Sequence, residues 1–380
     1  MAPQEAAEPS ASGGAGGPPA NGGGLTPMGV EGGGRAGAGP GRRKSEAAEV
    51  VVEVGTVGSP KRPPRRSEIR LSRISSGSDS PRIEVKPSRT KKVRAYTRWS
   101  GNASFLCKGR LVSGPNWTSV LGTACLILLP NIAFVITVTK PLWDKASLAF
   151  FVVSLVWPLV CIAFLLVAAF IDPGIIPRSP EPNEDWMAGR LPRTKEVDLN
   201  GHKVLVRYNE TCHFYQPPRA HHCSVMDECI EKFDHYCPWV GTTVGQRNYR
   251  FFLLFIFCTT ALCIYVFGCS AYLVKLEFDE LRVDNPNALI AEALRNQPGA
   301  IVMMIYTFLF VFFVGGLSSL HIFLVSTNQT TYENFRYSYD QDNRNPYNKG
   351  CLGNWYEVFC LPIPPSKCDF RAVVEEVAVG

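Results

Sequence analysis

Four long apolar blocks limit what this chain can fold into. They run from about Trp117 to Val138, Ala146 to Ile171, Phe251 to Val274 and Ile301 to Val325. At ~1.5 Å per residue, each is long enough to cross a hydrocarbon core of about 30 Å. The overall 46% hydrophobic and 19% charged content conceals this, because polar residues gather in the first hundred positions and in two later segments. The pattern predicts an all-α polytopic membrane protein with four transmembrane helices. Lys140–Lys145 is too short to fold alone, so the first two helices should form a hairpin with a tiny loop. Pro130 and Asn131 fall mid-block, a kink that neighbouring helices must satisfy.

The net charge of +6 is informative by location. Lys86, Arg89, Lys91, Lys92, Arg94, Arg98, Lys108 and Arg110, opposed only by Glu84, precede the first block. That marks a cytoplasmic flank and attracts anionic lipid. The loop 275–300 carries Glu277, Asp279, Glu280, Asp284 and Glu292, which suits the far side. Four crossings then place both termini in the cytosol, together with a polar segment, 172–250, between the second and third helices. The expected layout is a disordered head (1–90), a basic juxtamembrane segment (91–116), helices at 117–138, 146–171, 251–274 and 301–325, and a tail (326–380). The head is rich in Gly, Pro, Ala and Ser and buries too little to order itself. Its Arg42-Arg43-Lys44-Ser45 and Arg65-Arg66-Ser67 clusters have the composition of kinase targets. Met1–Gly41 has no apolar core, so the first helix is expected to direct insertion. Sequons at Asn102, Asn116, Asn209 and Asn328 fall on the cytosolic side and are expected to stay unmodified. The basic clusters have no interleaved reading element, which argues against nucleic-acid binding.

Of thirteen cysteines, Cys125, Cys161, Cys258, Cys263 and Cys269 lie inside apolar blocks as small hydrophobes. The informative ones fall in 172–250. Cys212-x9-His222-Cys223-x5-Cys229-x4-Asp234-His235-Tyr236-Cys237 has the ligand types and close spacing of a zinc-bound loop, in a spacing unlike the common fingers. Such a polar, proline-containing stretch needs another source of order, and structural zinc can supply roughly 10–16 kcal/mol. Its last four residues add a second chemistry. An ordinary cysteine thiol, with a pKa of about 8.5, is mostly protonated at neutral pH and needs a base to act as a nucleophile. His235 can serve Cys237 in that way, and Asp234 can orient the imidazole.

These residues resemble the DHHC family of protein S-acyltransferases, and most of all its plant and Ras-acylating branch, which carries an Asn-Gly strand segment before the cysteine-rich domain. The resemblance runs from about Lys91 to Ala372. It rests on Asp172-Pro173-Gly174, Pro217-Pro218-Arg219-Ala220, the run Phe233–Gly241, Arg247-Asn248-Tyr249-Arg250-Phe251-Phe252, Thr330-Thr331-Tyr332-Glu333 and Asn345-Pro346-Tyr347. It implies that Cys237 takes a fatty acyl group, usually palmitoyl, from acyl-CoA as a thioester and passes it to a cysteine of a target protein. His235 matches the general base and Asp234 its partner. It further implies a helix-walled cavity for the acyl chain, in a multi-pass protein of endomembranes (Golgi or ER) or the plasma membrane. Partners on this reading are acyl-CoA, cysteine-containing membrane-associated proteins and the bilayer, with an accessory subunit admitted. Arg219, Arg247 and Arg250 lie near the chemistry and are the candidates for CoA phosphates.

The sequence departs from the family at its zinc ligands. The first of the family's two sites maps onto Asn209, Cys212, His222 and Cys229, and keeps three ligands. His213, His221 or water are candidates to complete it. The second maps onto Cys223, Met226, Tyr236 and Thr243, and a lone thiolate cannot hold zinc tetrahedrally. That site is expected to be empty, with Met226 and Tyr236 supplying apolar packing and a hydroxyl hydrogen bond instead. The competing readings are an inactive membrane scaffold that kept the fold while losing zinc ligands and, with less support, a transporter. His321, inside the fourth block, is expected to be a bundle-facing hydrogen-bonding residue.

Overall fold

The computed structural model describes residues 90–199, 201–336 and 345–377. The expected disordered head and its two serine clusters lie outside the described residues. Among the described residues, four helices are long and apolar enough to cross a membrane: Ser119–Lys145, Leu148–Phe170, Tyr249–Asp284 and Pro298–Thr327. Large apolar side chains such as Leu129, Ile136 and Phe312 point outward from them, 63–68% exposed. Such a surface suits lipid and not water.

The first helix runs straight through Lys140–Lys145, where the sequence predicts a loop. A π-turn at Val135–Thr139 lets it continue. Ser147 then caps the second helix, accepting from the Ala149 amide. The third helix extends to Asp284, well past its apolar block, and its extra turns hold Lys145 through Glu277 and Glu280. A short helix, Ile290–Asn296, occupies part of the expected 275–300 loop.

Two apolar clusters fill the bundle. One gathers Phe134, Leu142, Leu262, Val266, Leu273 and Met303 near the acidic loop. The other joins Val120, Leu165, Phe252, Leu253, Ile256 and Val325 to Cys237, Val240 and Val244 of the cysteine-rich region. Polar side chains inside the bundle are tied across helices. Asn131 donates to the Ser154 carbonyl at 2.9 Å, and Tyr265 donates to that of Phe150 at 2.9 Å. The first gives a partner to the carbonyl that Pro158 leaves without an amide, and Tyr306 does the same for Pro130, donating to the Leu126 carbonyl at 2.8 Å.

The cysteine-rich region is built of short antiparallel strands and is not an irregular loop. Glu228–Ile230 lies between Ile175–Ile176 and His221–Cys223 in one sheet. Thr194–Leu199, His202–Asn209 and Phe214–Tyr215 form a second. His235–Cys237 pairs with Thr242–Val244 in a hairpin. Both flanks of the chain join this layer. Thr90–Arg94 pairs with Val373–Val377, and Phe370 packs on Trp99 and Phe105.

Candidate active site

The His235–Cys237 hairpin is held from three sides. Its turn closes with the Gly241 amide donating to the Cys237 carbonyl at 2.9 Å. Gly241 has φ +73°, and a Cβ there would meet the Asn116 carbonyl oxygen at 2.5 Å, so the start of the first helix packs on bare backbone. Thr123 of that helix donates to the Trp239 carbonyl at 2.7 Å. From the third helix, fully buried Asn248 donates to the carbonyls of Ala168 and Thr243 and accepts from the Gly245 amide.

Within this frame the residues expected from the sequence meet. His235 Nδ1 lies 2.6 Å from Asp234 Oδ2, and the Cys237 side chain is the imidazole's second hydrogen-bonding neighbour. Asp234 also accepts from Thr331, whose amide is 2.9 Å and hydroxyl 2.7 Å from the carboxylate. Burial alone would raise the Asp234 pKa. The bonds from His235 and Thr331 and the nearby imidazoles outweigh it, and the carboxyl titrates below its ordinary range. Burial likewise works against a charged His235, yet Asp234 and Cys237 overcome it and raise the imidazole to about 10. The carboxylate is therefore ionised at neutral pH, and the imidazole between it and Cys237 holds a proton more tightly than an ordinary histidine.

Cys237 is 5% exposed and faces an apolar cavity of about 900 Å³, counting its open mouth. The first, third and fourth helices form the walls, from Trp239 and Phe252 beside the thiol to Val266 and Met303 at depth. Phe252 and Val266 are fourteen residues apart on one helix, a depth of ~21 Å.

Cys212, His222 and Cys229 converge at the sheet edge, with ligand atoms within 4.8 Å of one another. His222 Nδ1 lies 3.5 Å from Cys212 Sγ and 3.9 Å from Cys229 Sγ. Bonds of ~2.3 Å to sulfur and ~2.0 Å to nitrogen at a tetrahedral angle place such atoms about 3.6 Å apart, so the donor set fits zinc. His222 Nε2 faces Asp227 at 3.5 Å, and Arg178 holds Asp227 at 2.9 Å, the outer-shell partners a ligating imidazole needs. Hydrogen bonding from Cys229 is the main cause lowering the Cys212 thiol to about 5, with His222 assisting against burial. Asn209 does not complete the set: its oxygen accepts from the Thr211 and Cys212 amides. His213 bonds to the Ser179 carbonyl, and the His221 ring packs at a tilt against Tyr332, centroids 3.9 Å apart.

The other group holds no comparable donors. Thr243 donates to Cys223 Sγ at 3.1 Å, Thr242 contacts Met226 Sδ at 3.6 Å, and the Tyr236 hydroxyl donates to the Gly241 carbonyl at 3.4 Å. Cys223 and Met226 are buried among Val112, Ile175, Ile230 and Phe370. Apolar packing contributed by both flanks fills the space a metal would order.

Comparison with known proteins fits this arrangement. The profile of the DHHC palmitoyltransferase family matches residues 203–338. Probable protein S-acyltransferase 7 of Arabidopsis thaliana is 46% identical over 301 residues, covering 74% of this chain and 66% of the relative. Probable protein S-acyltransferase 6 of the same plant is 44% identical over 298 residues, covering 74% and 71%. The chain belongs to the DHHC palmitoyltransferase family. It spans just under two thirds of the length of the first relative and somewhat more of the second.

In this DHHC protein the three arginines expected at CoA phosphates have internal partners. Arg219 forms a buried fork with Glu333, at 2.7 and 2.6 Å, and donates to Asn328. Arg247 bonds to Asp172 at 2.9 Å and to the Pro364 carbonyl. Arg250 donates to the Val358 and Leu361 carbonyls at a more exposed edge. The first two guanidiniums are spent on holding the tail and the Asp172-Pro173-Gly174 turn, an arrangement that residue type and sequence proximity could not reveal.

From the sequence Thr331 is only one residue of the Thr330-Thr331-Tyr332-Glu333 run; the structure shows that it grips Asp234 directly. The adjacent capping box was the available signal: the Thr330 amide donates to Glu333 and the Glu333 amide to Thr330. That box fixes the helix start on which Thr331 sits.

Proposed function

We propose that this protein is a protein S-acyltransferase that moves a fatty acyl group from acyl-CoA to cysteines of membrane-associated proteins on the cytosolic face of an endomembrane or the plasma membrane. The observation that carries this is Cys237 at the mouth of a helix-walled apolar cavity, hydrogen-bonded to an imidazole that a buried carboxylate holds. In the first step the thiol proton rests on His235 and Cys237 Sγ attacks the acyl-CoA carbonyl. The bond from carbonyl carbon to CoA sulfur breaks, and the CoA thiolate leaves with the proton from His235. In the second step His235 takes the proton of a target cysteine, whose sulfur attacks acyl-Cys237 and releases the Cys237 thiol. Asp234 stabilises the imidazolium in both steps.

A sixteen-carbon chain extends about 19 Å at a zigzag advance of ~1.25 Å per bond of ~1.52 Å, which supports the cavity as its seat. Burying it would contribute about 0.8 kcal/mol per methylene. Arg250, with its exposed edge, is the one of the three arginines retained for a CoA phosphate. Cys212, His222 and Cys229 would hold zinc, which would order the loop and take no part in the acyl steps. The reading of an inactive scaffold has no specific observation in its favour, since Asp234, His235 and Cys237 keep working geometry.

The test is incubation of purified protein with labelled palmitoyl-CoA and mapping of the label. Hydroxylamine-sensitive label on Cys237, absent from Cys237→Ser, is expected. Label on another residue, or none, would overturn the reading.

A further inference from the structure

The fourth helix carries a histidine that acyl transfer does not use. His321 is fully buried, its Nδ1 lies 3.0 Å from the Tyr249 hydroxyl, and its Nε2 has no hydrogen-bond partner. A buried ring nitrogen left bare is costly, so it is either tolerated or reserved for a ligand. With Nδ1–H donating to Tyr249, Nε2 presents a lone pair. What lies beside it decides between the two: Asp234, His235 and His321 each offer a ligand atom, and these lie within 4.8 Å of one another.

We propose that Asp234, His235 and His321 form a second metal site, for a borderline divalent transition cation such as Zn²⁺, whose filling withdraws His235 from Cys237. Two imidazoles and one carboxylate suit zinc or ferrous iron and not calcium or magnesium. Two nitrogen or oxygen donors on one tetrahedral zinc sit ~3.3 Å apart, so His321 must close by no more than about 1.5 Å while the metal replaces the proton between Asp234 Oδ2 and His235 Nδ1, which open from 2.6 Å. An ionised carboxylate offers about four lone-pair sites, and Asp234 uses three of them, one for His235 and two for Thr331. The entry path lies along His235, whose side chain is 25% exposed while that of Asp234 is 1%. Water from that side can complete the coordination. This cluster differs from Cys212, His222 and Cys229 in having no sulfur among its three donors and in sharing its residues with the chemistry.

The test follows iodoacetamide labelling of Cys237 in the full-length detergent-solubilised protein, by peptide mass spectrometry, at rising buffered Zn²⁺. Zinc should slow labelling of Cys237, and a chelator should restore it. In His321→Gln the half-protecting zinc concentration should rise at least about ten-fold, each protein's zinc-free rate serving as its own reference. If His321→Gln fails to give a cooperative melt, Tyr249→Phe, which keeps the ring and frees its anchor, should raise the half-protecting concentration measurably. Protection that is absent in the wild type overturns the proposal. So does equal protection in wild type and His321→Gln, which would leave His235 and Cys237 as the only ligands. Acyl loading forms no part of the readout, so either failure leaves the acyltransferase reading standing, and failed palmitoyl-CoA loading leaves the metal site standing.

Discussion

Thr331 holds Asp234 from 97 residues away in sequence, its amide bonding one carboxylate oxygen and its hydroxyl the other, at 2.9 and 2.7 Å. The loop that carries Asp234, His235 and Cys237 is thus oriented by the segment that follows the fourth helix. A hydrogen bond to a charged group is worth about 1.5–3 kcal/mol, and each ~1.36 kcal/mol is ten-fold in rate. Thr331→Val should slow Cys237 loading by palmitoyl-CoA about ten-fold while the amide bond keeps Asp234 in place. Asp234→Asn, which also loses the charge opposing the imidazolium, should cost at least ~100-fold. Stopped-time loading assays distinguish the two.

Stability should depend on pH through His235. Its folded pKa, about 10, stands above the ordinary value of 6.5. The stabilisation is therefore fully present below about pH 6.5 and is lost as pH rises through about 10. It amounts to a few kcal/mol, since each ten-fold gain in proton affinity on folding is worth about 1.4 kcal/mol. The melting temperature should fall between about pH 7 and 10 more steeply in the wild type than in His235→Gln. Equal slopes in a fluorescence-detected melt would refute this.

Metal content separates the two Cys/His groups. In protein purified without added zinc, elemental analysis should find about one zinc per chain, bound by Cys212, His222 and Cys229, falling below half in Cys229→Ser. Cys223→Ala should leave zinc unchanged and destabilise the fold by ~1–3 kcal/mol, because Cys223 is a packing residue bonded by Thr243.

The cavity floor should set chain length. Val266 lines its deep end, and Val266→Phe would fill space there. Competition between acyl-CoAs of ten to sixteen carbons should then shift toward the shorter chains, with loading of the shortest little changed.

Arg219 and Glu333 are both buried, with side chains 8% and 3% exposed. Glu333→Gln leaves a buried guanidinium uncompensated and should cost about 3–5 kcal/mol. Replacing both with apolar residues should cost less, which a double-mutant cycle in thermal unfolding measures.

Much of this was legible in the sequence, for reasons that differ by element. The four crossings were, because bilayer thickness imposes a length that composition reports directly. Their ends were less so: charged Glu277 and Glu280 read as loop, yet they extend the third helix because Lys145 pairs with them. Asp234, His235 and Cys237 were legible because they are neighbours in the chain. His321 was legible as a bundle-facing hydrogen-bonding residue, but its partner Tyr249, the grip of Thr331 on Asp234 and the internal pairing of Arg219 and Arg247 were not, since each depends on contacts across 70 residues or more that only the fold brings together.

The pairing of Thr90–Arg94 with Val373–Val377, and the burial of Phe370 beside Met226, also bear on when the molecule becomes whole during synthesis. The pocket around Cys223 is closed by Phe370, which is translated only after all four helices. Until that segment has emerged, the strand layer around Cys223 lacks a wall. Maturation therefore waits on the segment that follows the fourth helix, and products truncated before Phe370 should be short-lived.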